Sequence, residues 1–151
     1  KKKKKKKAEN TFISSTFWGE RVGYTAALSS IKEFKKTNAF RKVEQNGKLI
    51  KEIWLNLSQK YNVPIKIMGS NSILSFEFEN NHLENKTFFT QEMLKNNILA
   101  TNLIYVNIFH NRKNIRKYTK VLDKIFRLIS EKKVKKLLNS NVCFKPINRI
   151  N

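Results

Sequence analysis

Apolar residues recur every three or four positions in some stretches of this chain and every second position in others. From Gly19 onward, Ala26, Ala27, Leu28, Ile31 and Phe34 share one side of a 3.6-residue period, which predicts an amphipathic helix with Glu20 favourably placed in its first turn. Thr37-Asn38 breaks it, and Asn38 is placed to cap a second helix over residues 39–61. Phe40, Val43, Ile50, Trp54, Leu57 and Tyr61 form the stripe of that helix, and Gly47 lies on it. A glycine there either admits another backbone or costs about 1 kcal/mol relative to alanine. Asn62 and Pro64 stop the helix.

The period then falls to two. Ile65 and Ile67 flank Lys66, and after Gly69-Ser70-Asn71 the run 72–79 puts Leu74, Phe76 and Phe78 on one face and Ser75, Glu77 and Glu79 on the other. That pattern predicts an antiparallel pair with one wet face. Residues 80–85 read as a polar loop and 86–97 as a short helix with Phe89 and Met93 inward. Ile98-Leu99 and residues 104–109 read as further strands. Ile115, Tyr118, Leu122, Ile125 and Ile129 then step by three and four along a long helix, and residues 139–151 are irregular. Upstream, Thr11, Phe12 and Ile13 predict an extended stretch over 8–16. The expected fold is α+β, with helices on one face of a small antiparallel sheet. The strand over 8–16 and its helix lack a partner in that layer.

The chain has 151 residues, 40% of them hydrophobic and 11 of them Phe, enough for one core-forming domain. Its net charge is +21, of which seven belong to Lys1–Lys7, leaving +14 over residues 8–151. Seven adjacent lysines repel one another and bury nothing, so residues 1–7 are expected to be a disordered, solvated tail. The other lysines are spread along the helices, and the 19 asparagines point to compositional drift. A small basic nucleic-acid-binding protein is therefore the alternative reading, while the leading one expects no nucleic-acid partner. A third reading is a free-standing interaction module that uses its open sheet face. No apolar run approaches the ~18 residues of a membrane span, and no secretory signal pattern follows the lysines. With the single Cys143, this makes the cytoplasm the expected compartment.

Candidate chemistry is sparse. Ser15 and Thr16 place two hydroxyls, with Gly19, ahead of a helix start, an arrangement suited either to a phosphate or to an ordinary capping turn. Arg21 is either an anion partner or a surface residue. His82, His110 and Cys143 have no partners at metal or nucleophile spacing and read as structural or surface groups. The four glycines form no phosphate loop.

The stretch Ser15-Thr16-Phe17-Trp18-Gly19-Glu20-Arg21, followed by residues 22–27, resembles the G-T-x-x-G-N-P-x-x-x-A-A segment of class III pyridoxal-phosphate aminotransferases. The likeness is greatest to the branch of glutamate-1-semialdehyde aminotransferase (aminomutase). Gln91-Glu92-Met93-Leu94-Lys95-Asn96-Asn97-Ile98-Leu99 resembles that family's Q-E-x-L-x-x-G-I-L helix end, and the helix after His110 its C-terminal helix. The resemblance implies a fold type I transferase in which residues 8–37 end the large domain and 38–151 form the C-terminal small domain. It implies that Thr16, with the backbone of Ser15, contacts the pyridoxal 5'-phosphate of the partner subunit in a homodimer. The enzyme would move an amino group between a small-molecule amino donor and a carbonyl acceptor, by transamination or aminomutation. Ser15 stands where the family has Gly, and Glu20-Arg21 where it has Asn-Pro. The family's Schiff-base lysine lies upstream of this motif, and solvated Lys1–Lys7 do not supply it. The chain is thus expected to be a fragment that is inactive alone.

Overall fold

A computed structural model describes residues 20–143. The Lys1–Lys7 tail, the expected strand over 8–16, Ser15, Thr16, Trp18 and the end of the irregular tail lie outside the described residues. The chain divides into two units, residues 1–37 and residues 38–151.

In the first unit, helix α1 (Arg21–Lys36) starts after Glu20, which has extended backbone and makes no side-chain cap. The helix buries none of its residues. Val22, Leu28, Ile31 and Phe34 are each more than half exposed. The amphipathic stripe is present and exposed.

The second unit contains α2 (Ala39–Tyr61), β1 (Ile65–Ser70), β2 (Ile73–Phe78), α3 (His82–Lys95), β3 (Leu103–Tyr105), α4 (Arg112–Ser130) and the one-turn α5 (Val134–Leu137). The sheet has the order β1-β2-β3 and is antiparallel throughout. Ile65 pairs with Phe78 and Ser70 with Ile73, while Leu74 pairs with Ile104. This register turns Leu74, Phe76 and Phe78 inward, and all three are buried. Ile73, Leu103 and Tyr105 face the other side and are exposed. The expected α+β layer is what forms: three helices stand on one face of a small antiparallel sheet.

The core is aromatic. Phe76 is packed edge-on by Trp54 of α2 at 4.7 Å, by Phe78 at 5.2 Å and by Phe89 of α3 at 5.5 Å, and Phe78 meets Phe126 of α4 at 6.0 Å. Such edge contacts contribute about 0.5–1.5 kcal/mol each beyond area burial. Trp54 is fully buried, and its indole N–H donates to the Tyr118 hydroxyl at 3.0 Å. This bond ties α2 to α4 and satisfies a donor that burial would otherwise leave unpaired. Gly47 gives the hairpin its seat on α2: a Cβ there would lie 1.9 Å from the Asn71 carbonyl oxygen. The close-approach reading of Gly47 therefore holds.

Several local expectations are corrected. Residues 82–85 are helix, not loop: Asn81 takes the left-handed conformation at φ 50° and α3 begins at His82. Asn85, polar in sequence, is buried and donates to the Asn80 carbonyl at 2.9 Å. Ile98-Leu99 form no strand, and Leu99 is almost fully exposed. The strand expected over 104–109 ends at Tyr105, because the Asn107 carboxamide accepts from the Phe109 N–H at 2.9 Å and turns the chain. Such Asx turns compete with the sheet ladder. Asn38 does not cap α2 through its side chain; it sits at φ 51° as a left-handed break. Phe40 lies off the buried stripe at 68% exposure.

Candidate functional site

Ser15 and Thr16, the cofactor contacts expected from sequence, lie outside the described residues, as does Gly19. Arg21 opens α1 and is exposed. The phosphate contact expected from sequence is therefore not among the described residues.

The buried polar centre of the second unit is Glu92, on α3. Its side chain is only 6% exposed and is held by Lys95 at 2.8 Å and Lys124 of α4 at 3.3 Å. Gln91 adds a third donor at 3.3 Å. Burial disfavours the charged carboxylate, but the hydrogen bonds from Lys95, Gln91 and Lys124 outweigh it, so the group lies below the ordinary carboxylate value. Gln91 also binds the chain beyond α5: its amide donates to the Leu137 carbonyl at 2.9 Å and accepts from the Asn139 N–H at 2.7 Å. One turn back, the Thr87 hydroxyl accepts from the Cys143 N–H at 3.0 Å. Periodicity alone had no means of marking Glu92 and Gln91, since a polar pair at the edge of a helix stripe reads as solvated surface.

Two clefts open on the unit. One, of about 460 Å³, lies between Ile50 of α2, the loop around Ala100, β3 and the start of α4. Its walls are largely apolar; the polar groups include Asn97, Thr101, Asn107, His110, Asn114 and Lys117, and no carboxylate lines it. His110 Nδ1 accepts from the Asn107 N–H at 3.0 Å, which fixes the ring proton on Nε2, and burial lowers its pKa below the usual histidine value. The ring is therefore neutral at pH 7. The other cleft, of about 580 Å³, lies where α2 and α4 end, between Pro64, Phe78, Asn85 and Ser130. His82 lies at the start of α3, and its Nδ1 is buried without a hydrogen-bond partner. Cys143 is half-buried, with its thiol 3.6 Å from the Leu83 carbonyl. Among the described residues, no group of three His, Cys, Asp or Glu side chains is placed to hold a metal ion. Nor is any helix among them long and apolar enough to cross a membrane.

A pyridoxal-phosphate site needs a lysine in a partly desolvated setting. Among residues 20–143 no lysine is buried, and Lys86 alone is even half-buried. The aspartate of this part, Asp123, is engaged at 2.7 Å by Lys60 on the surface. The described residues by themselves do not fit the cofactor.

No family model and no curated protein sequence matches the chain. Among solved structures, the fold matches the pyridoxal-phosphate internal aldimine form of the FumI protein of Sphingopyxis sp. MTA144, with a TM-score of 0.70 at 14% sequence identity. The match covers 89% of this chain and 32% of that one, so the chain spans about a third of the FumI protein. At this identity the likeness establishes the fold: an α+β unit shaped like part of a pyridoxal-phosphate protein.

Proposed function

We propose that this chain is the C-terminal small domain, with the last strand and helix of the large domain, of a pyridoxal-phosphate-dependent aminotransferase or aminomutase of the class III type. The observation that carries the reading is the fold match over 89% of this chain but only 32% of a cofactor-bound protein. Two further features support it. The motif Ser15-Thr16 followed by Gly19 has the chemistry of a phosphate contact at a helix start. The exposed apolar stripe of α1 suits a helix that packs within a larger domain.

In this proposal the partner subunit's cofactor phosphate is held by the Thr16 hydroxyl and the Ser15 backbone in a homodimer. The substrates are a small amino donor and a carbonyl acceptor, and the compartment is the cytoplasm. The lysine that bears the cofactor comes from polypeptide beyond these 151 residues.

The test is covalent trapping. Pyridoxal phosphate added to the chain and reduced with borohydride should leave no lysine labelled stoichiometrically. In the whole polypeptide the label should fall on one lysine outside residues 1–151. Stoichiometric labelling of one lysine within 1–151 would overturn the reading. Thr16→Ala in the whole polypeptide should weaken cofactor retention by about 1.5–3 kcal/mol, the range of a charge-assisted hydrogen bond.

A further inference from the structure

The lysines and arginines that sequence scatters over residues 112–127 come together on one surface. Helix α4 carries Arg112, Lys113, Arg116, Lys117, Lys120, Lys124 and Arg127, all exposed, against one carboxylate, Asp123. At about 100° per residue the seven cations fall within roughly 140° of arc, and the buried residues from Ile115 to Phe126 take the opposite side. The strip from Arg112 to Arg127 is about 22 Å long at about 1.5 Å per residue.

Most of this charge is not spent inside the protein. Lys124 reaches Glu92 and Lys117 the Asn97 carbonyl. Arg127 lies near enough to Asp123 and Glu131 to lower both carboxyl pKa values through its charge. Arg112, Lys113, Arg116 and Lys120 make no ion pair with a carboxylate among the described residues, and rows spaced by four residues repeat about every 6 Å along the helix.

We propose that this face of α4 is a docking surface for the phosphodiester backbone of a nucleic acid, bound without sequence preference. Two arginines among the free cations match phosphate oxygens in a two-pronged geometry that lysine lacks. The exposed part of α4 carries no large hydrophobic residue. It therefore has no wedge to enter a lipid bilayer and no apolar anchor for a protein partner. A polyanion that needs only charge and hydrogen bonds is the occupant such a face suits. The surface meets the clefts only at Lys117, which lines the one beside β3. The inference is independent of the cofactor reading.

The experiment is a salt titration of the full chain against a short labelled DNA duplex, with the triple variant Arg112→Gln, Arg116→Gln, Lys120→Gln beside it. The Lys1–Lys7 tail is present in both proteins, so the difference isolates α4. Neutralising three phosphate contacts should weaken binding by about tenfold or more at low salt. It should also lower the slope of log affinity against log salt by about 2.7, at about 0.9 per contact. A triple variant with an unchanged slope would refute the proposal. So would an equal loss on neutralising Lys32, Lys35 and Lys36 of α1, which would reduce the effect to net charge. Tighter binding to vesicles rich in phosphatidylserine than to the duplex would overturn it in favour of a membrane. Thermal unfolding of the triple variant should be no lower than that of the wild type, because all three side chains are exposed and their removal lowers the net positive charge.

Discussion

Glu92 is where a single side chain links two helices of the second unit. Its carboxylate joins Lys95 on its own helix to Lys124 on α4, and its backbone carbonyl accepts from the Asn96 side chain at 2.8 Å. Because the two lysines are about half exposed, water shares their charge, and the loss on Glu92→Gln should be about 1–3 kcal/mol, read by denaturant unfolding. The sign with pH follows from the lowered pKa. The carboxylate contributes stability above its ordinary value of 4.5 and loses it as pH falls through the lower folded-state value. Wild type and Glu92→Gln should therefore converge in stability under acid. Gly47 makes an opposite kind of claim. Alanine is the better helix former by about 1 kcal/mol, but the 1.9 Å approach to the Asn71 carbonyl oxygen leaves no room for a methyl group. Overpacking of about 1–3 kcal/mol should win, so Gly47→Ala should lower the unfolding midpoint.

Among the elements, the helices were the most legible from sequence. Ile115, Tyr118, Leu122 and Ile125 are all buried as their spacing requires. Strands β1 and β2 were legible because alternation survives wherever one face is wet. What the pattern hid was the work of asparagine. Asn38, Asn62, Asn81 and Asn97 all adopt positive φ, between 50° and 56°, beside helix ends. In a chain with four glycines, these asparagines take over the left-handed breaks that glycine commonly supplies. The asparagine excess, read from composition as drift, has at least this structural use. It also explains the misplaced start of α3: Asn80 and Asn81 read as the opening of a long loop, whereas Asn81 is a one-residue break. Asn62→Val should cost about 1–2 kcal/mol, since a β-branched residue fits that conformation poorly, while Asn62→Gly should be tolerated. Gln91→Ala should release the chain after α5, seen as faster amide exchange at Asn139 with the core exchange unchanged. The candidate cofactor contact, Ser15-Thr16, lies outside the described residues and rests on family resemblance alone, because two hydroxyls before a helix are equally a cap.

For the molecule as a whole, charge sets the response to solvent. A net charge of +21 opposes compaction, so raising salt from about 0.01 M to 0.15 M, which shortens the screening length from about 30 Å to 8 Å, should raise the thermal midpoint. Acid should act in two stages. His110, held neutral by burial, contributes its full stability above the ordinary value of 6.5 and loses it as pH falls through the lowered folded-state value. Glu92 and Asp123 follow below 4.5 and 3.8 respectively. A melting curve against pH should show the first stage flattened in His110→Gln and the second retained.

The indole that bridges α2 and α4 has a practical consequence. Of the two tryptophans, Trp54 is sealed from water with its nitrogen bonded to a phenol. In a Trp18→Phe background its emission should be blue-shifted and resistant to soluble quenchers, and should redden as the two helices part. The sequence thus comes with its own optical gauge of that one interface, readable in a stopped-flow cell without a label.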